Sequence, residues 1–226
     1  MEGIMNNAKN SKNSDIIYKI VGIAMFAALA FVVSLVFRIP VSFLTFDAKD
    51  AIIAMAGFIF GPLSALITAL LAATIELSIS DTGIYGFIMN FASSATFSVV
   101  ASLIYKNKRT FLGSILSFAC ATGVLVYVML ALNIFVTPFY MGAPRSAVIE
   151  LIPTMLLPFN LAKALMNSAI AMLLYKPLIT ALRKAKLISA PTGKQTKFFN
   201  VYTVLTAVVA IAALATSIVI FVILKK

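Results

Sequence analysis

Long apolar runs separated by short polar connections make up most of the chain. Runs of spanning length, about 20 residues in a bilayer, recur from residue 16 onwards. The pattern predicts helices over residues 16–37, 48–60, 63–79, 84–105, 111–132, 151–182 and 201–224. Gly61-Pro62 ends the short second helix, since proline is well placed in the first turn of a new helix. The sequence therefore predicts an all-α integral membrane protein, a six-helix bundle with an additional seventh helix at the C-terminus.

The polar connections between the helices predict the outer loops and the domain boundary. Residues 41–50 and 133–145 combine polar, aromatic and, in the second case, proline residues, and we expect both to be loops on the outer side. A basic segment containing Ser, Pro, Thr and Gly precedes the last helix, which has no polar face. We expect residues 1–190 to form a ligand-binding membrane domain, and residues 191–226 to hold a linker and the additional helix.

One apolar run carries polar residues that share a helix face. Asn160, Lys163 and Asn167 are spaced i, i+3 and i+7 within residues 151–182, so they project from the same side of a helix. An ionisable group at membrane depth costs about 3 kcal/mol on insertion scales and normally faces protein or a watery cavity. A lysine that snorkels to the interface, or one in a structural ion pair, is the alternative. The position of Lys163 near the middle of the run favours a polar binding site.

Composition and charge support a membrane protein. The chain is 62% hydrophobic and 11% charged, whereas charged residues make up about a quarter of soluble domains. Twelve of the 18 basic residues fall in three clusters, around the start of the first helix, between the fourth and fifth helices, and around and after the end of the sixth. This distribution is typical of cytoplasmic loops. It predicts a multi-pass protein of the cell membrane with a cytoplasmic N-terminus, in contact with lipid and not with nucleic acid.

The residues needed for common enzyme chemistry are missing from the sequence. There is one cysteine and no histidine, which argues against disulfides, a zinc site and histidine catalysis. Gly193-Lys194 is followed by glutamine where a phosphate-binding loop needs Ser or Thr. We therefore expect no enzymatic activity and no cofactor. The polar groups at membrane depth suit hydrogen bonding to an uncharged or weakly charged ligand: Glu76, Asn90, Asn133, Asn160, Lys163 and Asn167.

Several short motifs, taken in order, resemble a known family. They are Thr45-Phe46-Asp47-Ala48-Lys49-Asp50, Phe58-Ile59-Phe60-Gly61-Pro62, Ser80-Asp81-Thr82-Gly83, Asn90-Phe91 and Pro158-Phe159-Asn160-Leu161-Ala162-Lys163. Together with six spans, a short second one and small residues on the first, they resemble the substrate-binding subunits of energy-coupling factor (ECF) vitamin transporters. Within that family they look like the riboflavin-specific subunits. The resemblance covers about residues 15–188 and leaves the seventh helix without an assigned role.

The resemblance implies a riboflavin pocket in the outer half of the bundle, built from the first outer loop and spans four to six. It implies ligand contacts from Asn133, Asn160 and Lys163. The further candidates for substrate binding are Thr45, Phe46, Asp47, Glu76, Tyr85, Gly86 and Asn90. Ala24 and Ala28 match the small-residue motif that faces the coupling subunit in this family.

The resemblance also implies partners and a mechanism. Riboflavin is the transported ligand, captured outside with high affinity. The partners are a transmembrane coupling protein and two ATP-binding subunits, which supply the energy as this subunit topples to deliver the ligand inward.

Three other functions remain open from the sequence alone. The same scaffold could bind another vitamin, with Lys163 as the counter-ion of a carboxylate. A stand-alone proton-coupled transporter would use Lys163 and Glu76 as a titrating pair, although the chain lacks the inverted halves common in such proteins. A membrane scaffold without a ligand would tolerate leucine at Asn160 or Lys163.

Overall fold

A computed structural model describes residues 2–80, 82–107, 111–184 and 201–224. The helices are α1 (Glu2–Val36), α2 (Lys49–Phe60), α3 (Pro62–Leu77), α4 (Gly83–Asn107), α5 (Phe111–Met141), α6 (Arg145–Leu151), α7 (Leu157–Lys184) and α8 (Val201–Leu224). A single π-helical turn, Ile152–Leu156, joins α6 to α7. Asp81, most of the basic loop between α4 and α5, and the linker predicted at residues 191–200 lie outside the described residues.

The architecture confirms an all-helical membrane bundle. Among the residues that the structure describes, five segments are long and apolar enough to cross a bilayer: Ile16–Val36, Gly83–Asn107, Leu112–Met141, Arg145–Tyr175 and Val204–Leu224. The apolar helix Pro62–Leu77 is shorter.

The short helix α2 lies at the centre of the bundle. All ten residues from Lys49 to Phe58 are buried, and α2 packs against α1, α3, α4 and α7. Gly61, with φ of 97°, ends α2, and its N–H donates to the carbonyl of Gly57. Pro62 is the first residue of α3, as predicted. Twelve residues of α-helix span about 18 Å, less than the hydrocarbon core of a bilayer. The first turn of α2 therefore places charged residues inside the protein.

A small hairpin covers one end of the bundle, where residues 41–50 were expected to form a loop. Strands β1 (Ile39–Val41) and β2 (Leu44–Phe46) are antiparallel, with Ile39 opposite Phe46. The turn between them uses Ser42 in the left-handed region, at φ of 54°. We call this end of the molecule the hairpin end. Val41 and Phe46 are buried against Phe159 of α7.

The helix α5 is longer than predicted, because residues 133–141 continue it and do not form a loop. Asn133 and Thr137, four residues apart, are both buried, and the Thr137 hydroxyl donates to Asn133 Oδ1 at 2.8 Å. Pro138 lies inside the helix. In lipid the backbone groups must be satisfied within the protein, so a helix can persist through a proline that ends helices elsewhere.

The entry to α7 departs from α-helical geometry. The N–H of Leu157 donates to the carbonyl of Ile152, five residues earlier. Pro158 has no N–H to donate, and in an α-helix its ring would clash with the carbonyl of Thr154. The wider π-turn avoids that clash.

Candidate functional site

The predicted polar face of α7 points into the bundle. Asn160, Lys163 and Asn167 are 3%, 5% and 0% exposed. The helical spacing therefore identified an inward face correctly. The snorkelling alternative for Lys163 is wrong, because its ammonium is buried, whereas the other alternative, an ion pair, is present with Asp47.

The ammonium of Lys163 begins a buried chain of charged and polar groups. Its Nζ lies 2.9 Å from Oδ2 of Asp47, which in turn lies 3.9 Å from Nζ of Lys49. Lys49 Nζ lies 2.5 Å from Oε2 of Glu76, and that oxygen accepts a hydrogen bond of 3.1 Å from Nδ2 of Asn90. This network links α7, the segment that precedes α2, the first residue of α2, and the helices α3 and α4. It does not pair Lys163 directly with Glu76.

The pKa of the Asp47 carboxyl lies below its ordinary value. Burial would raise it, but the ammonium groups of Lys163 and Lys49 outweigh that effect, and the main-chain N–H of Lys49 donates to Asp47 Oδ1 at 3.3 Å. Asp47 is therefore a carboxylate that orients both lysines.

Asn167 bonds to the segment around the start of α2 and has a structural role. Its Oδ1 accepts the main-chain N–H of Ala51 at 2.8 Å, and its Nδ2 donates to the carbonyl of Asp47 at 3.0 Å. The first turn of a helix has N–H groups without partners in the helix itself. Asn167 satisfies one of them and fixes α2 against α7.

A cleft of about 120 Å³ lies at the hairpin end, between the hairpin, α4, α5 and α7. Its polar lining includes Thr45, Asn90, Asn133, Asn160 and Lys163. Its apolar and aromatic lining includes Phe43, Tyr85, Met89, Met129, Tyr140 and Phe159. The cleft thus combines donors and acceptors with flat apolar surfaces, which is the usual composition of a small-molecule site.

Seven of the ten predicted substrate-binding residues line this cleft: Thr45, Tyr85, Gly86, Asn90, Asn133, Asn160 and Lys163. At Gly86 a Cβ atom would overlap the Thr82 hydroxyl. The other three, Phe46, Asp47 and Glu76, lie behind the lining. Phe46 packs its ring on Phe159 with centroids 5.9 Å apart, and the two carboxylates belong to the buried chain of charges.

The amides that line the cleft are partly held by their own helices. Nδ2 of Asn133 donates to the carbonyl of Met129, and Nδ2 of Asn160 donates to the carbonyl of Leu156, each at 2.7 Å. These bonds fix the rotamers and point the two amides at the same space from α5 and α7.

Sequence reasoning missed two kinds of residue. Lys49 was recognised only as part of a motif, although its place between Asp47 and Asp50 in a short apolar helix was a usable signal. Arg38 and Tyr140 line the cleft, and the Tyr140 hydroxyl donates to the carbonyl of Phe43 in the hairpin turn at 3.1 Å. No periodic pattern distinguishes these two.

The two alanines predicted to meet a coupling subunit lie on the outer surface of α1. Ala24 and Ala28 are exposed, whereas Ala27 and Ala30 face the core and are buried. This strip of α1 is thus accessible from the side of the bundle, and at the two small residues another helix could approach closely.

The described residues contain no group of three or more acidic, cysteine or histidine side chains that could hold a metal ion.

Known proteins that are similar to this chain are transporters or components of transporters. The sequence model of the family described as "ECF transporter, substrate-specific component" matches residues 18–175. The riboflavin transporter RibU of Staphylococcus aureus (strain TCH60) is 32% identical over 188 residues, which cover 79% of this chain and 99% of that protein. A solved structure described as "Structure and mechanism of the S component of a bacterial ECF transporter" is similar, with a TM-score of 0.63 and 32% identity. The similarity covers 73% of this chain and 97% of the solved one.

Proposed function

The chain belongs to the family of substrate-specific components of ECF transporters, and we propose that it is the riboflavin-binding subunit of an ATP-driven uptake system. The observation that carries the proposal is the convergence of Asn133, Asn160 and Lys163 on one cleft. The similarity to a riboflavin transporter over nearly all of that protein's length also supports it. A transporter among the relatives favours transport over catalysis.

The chemistry of the cleft suits an isoalloxazine ring. That ring carries carbonyl and ring-nitrogen acceptors and one N–H donor. An ammonium such as Lys163 donates to the acceptors, and an amide such as Asn160 or Asn133 both donates and accepts. Thr45 and Asn90 are candidates for the ribityl hydroxyls. The ring faces would lie against aromatic and methionine side chains of the lining.

Binding requires the cleft to widen. Its volume of about 120 Å³ is below the range of roughly 300–1,000 Å³ for pockets that enclose drug-sized ligands. The hairpin is held over the cleft by the hydrogen bond from Tyr140 to Phe43, and the rings of these two residues lie 6.1 Å apart. We expect riboflavin to displace this contact on entry.

Riboflavin titration of the purified full-length protein tests the proposal. We expect quenching of flavin fluorescence at submicromolar riboflavin, with a stoichiometry of one. Competition with a panel of other vitamins distinguishes riboflavin from a different ligand on the same scaffold. Absence of binding at these concentrations, or stronger binding of a carboxylate-bearing vitamin, would contradict the assignment.

The proposal extends to orientation and partners. The hairpin end faces the outside and the N-terminus faces the cytoplasm, which agrees with the basic residue clusters. The subunit topples when bound to a transmembrane coupling protein and two ATP-binding subunits, for which the exposed strip at Ala24 and Ala28 supplies a docking face.

Uptake into proteoliposomes tests this part separately. Riboflavin uptake should require the coupling protein and both ATP-binding subunits together with ATP. Ala24→Leu and Ala28→Leu should reduce uptake and co-purification of the coupling protein while leaving riboflavin affinity unchanged. Ala212→Leu, at an exposed alanine of α8, is the matched control. Uptake by this chain alone, driven by a pH gradient, would indicate a secondary transporter instead.

A further inference from the structure

The helix α8 lies beyond the residues that match the family, and it docks on α7 through a defined contact. Most of its described side chains are exposed, but Ala210 and Ser217 are 0% and 1% exposed. These two are seven residues apart and share a face. The Ser217 hydroxyl donates to the carbonyl of Ala162 at 2.8 Å. Ala162 lies between Asn160 and Lys163, so α8 is attached to the turn of α7 that carries the candidate site.

One turn after Ser217, α8 reaches the hairpin through an aromatic contact. The ring centroid of Phe221 lies 5.3 Å from that of Phe46 in β2. Phe46 in turn packs edge-on against Phe159, with centroids 5.9 Å apart. Phe159 lines the cleft. The three rings form a continuous path from α8 to the cleft wall.

The neighbours of these rings in the sequence are cleft residues. Thr45 precedes Phe46 in β2, and Asn160 follows Phe159 in α7; both line the cleft. Ile220 and Leu224 of α8 pack against the same buried cluster, which also contains Val41 of β1. These α8 residues therefore pack against a cluster to which both strands of the hairpin and α7 contribute.

We propose that α8 braces the hairpin against α7, and that Phe221 is a positioning residue that slows release of the ligand from the cleft. The consequence for release rests on the proposed function, whereas the bracing of the hairpin does not. Phe221 does not itself line the cleft, so its effect passes through Phe46 and Phe159.

Loss of the Phe221 ring should loosen the hairpin without unfolding the bundle. An aromatic pair contributes about two- to tenfold to an equilibrium beyond the area it buries. We expect Phe221→Ala to raise the riboflavin dissociation rate by about fivefold, on the order of that contribution, with little change in association. Phe221→Leu, which keeps most of the apolar volume, should recover much of the native rate. Phe139→Ala removes a ring that is 67% exposed and is the matched control.

The experiment has two arms on the full-length protein in detergent. Hydrogen–deuterium exchange without ligand should show faster exchange of the amides of residues 39–46 in Phe221→Ala than in the native protein or in Phe139→Ala. Stopped-flow release of riboflavin should show the matching increase in dissociation rate. A double-mutant cycle with Phe46→Ala should be non-additive, since both variants break the same contact. If Phe221→Ala does not fold, Ser217→Leu offers a second way to push α8 off α7.

The outcomes separate the two ideas. Unchanged hairpin exchange in both α8 variants overturns the brace, whatever the ligand. Faster exchange with a native release rate overturns the role of Phe221 in ligand retention. A native protein that binds no riboflavin overturns the proposed function, and the exchange arm still decides whether α8 braces the hairpin.

Discussion

The Nζ atom of Lys163 lies 2.9 Å from Oδ2 of Asp47, across 116 residues of sequence. This ion pair joins α7 to the segment that leads into α2, and it places an ammonium at the cleft wall. Both side chains are buried. Removal of one partner from a buried pair is costly, about 3–5 kcal/mol, because the other charge is left uncompensated.

Lys163→Met should lower the melting temperature and abolish riboflavin binding, because it removes the ligand's donor and leaves Asp47 unpaired. The double variant Lys163→Met/Asp47→Leu should regain part of the lost stability but none of the binding. Scanning fluorimetry and riboflavin titration measure the two effects. Lys19→Met, at an exposed lysine of α1, should change neither. Recovery of binding in the double variant would exclude Lys163 as a ligand contact.

We expect Asn160→Ala to affect mainly riboflavin affinity and Asn167→Ala to affect mainly the melting temperature. Asn167 bonds the Ala51 N–H and the Asp47 carbonyl, and a buried group left without its partner costs about 1–3 kcal/mol. Asn167→Ala should therefore lower the melting temperature more than it weakens binding. Asn160→Ala should mainly weaken binding, since Asn160 lines the cleft. If the two variants lost the same affinity for each degree of lowered melting temperature, Asn160 would not differ from Asn167 in its role.

Glu76 should affect binding without touching the ligand, because it holds both Lys49 and Asn90. Glu76→Gln keeps an acceptor for Asn90 and should retain affinity within a few-fold while lowering stability. Glu76→Leu leaves Asn90 without that acceptor and should weaken binding further. Riboflavin titration and melting curves of both variants measure the two effects. Glu150→Gln, at an exposed glutamate, is the control. Equal affinities for the Gln and Leu variants would show that Asn90 does not depend on Glu76.

The pH dependence of Asp47 follows from its lowered pKa. In the unfolded chain an aspartate titrates near 3.9, and in the folded protein its pKa is lower. Between the two values the unfolded state binds more protons, so the stability that Asp47 contributes increases with pH through that window and is complete above about pH 5.

The difference in melting temperature between the native protein and Asp47→Asn should thus be constant from pH 5 to 8, and should shrink below about pH 4. Melting curves in matched buffers measure it. A difference that changes between pH 6 and 8 would instead indicate that Asp47 exchanges a proton near neutrality, as a proton-coupled transporter would require.

The sequence predicted those features that have a local cause. Periodic spacing identified the inward face at Asn160, Lys163 and Asn167, and Gly61-Pro62 marked the boundary of α2 and α3. The three-residue strands of the hairpin were missed because they are too short for an alternating pattern to show. The end of α5 was placed too early because the polar, aromatic and proline residues of 133–145 were interpreted as a loop, whereas residues 133–141 continue the helix.

The partners of the buried charges could not be predicted from spacing. Asp47 meets Lys163, and Lys49 meets Glu76, only because α2 is short and wholly enclosed by other helices. The brace by Phe221 is likewise a contact between distant segments. The resemblance to a family supplied candidates for the cleft, and the fold showed that Phe46, Asp47 and Glu76 support the lining from behind.

The π-turn at Ile152–Leu156 has a consequence for comparing this chain with its relatives. A π-turn accommodates one residue more than an α-helical turn while the helix axis continues. Deleting one residue between Ile152 and Leu156 should therefore leave the inward face of α7 where it is, provided that Pro158, whose ring the π-turn accommodates, is replaced as well. The same deletion between Asn160 and Lys163 would rotate the lysine by about 100° relative to the asparagine, the angle of one residue in a helix of 3.6 residues per turn. A one-residue gap in a sequence alignment is therefore compatible with the cleft between Ile152 and Leu156, whereas between Asn160 and Lys163 it disrupts the cleft.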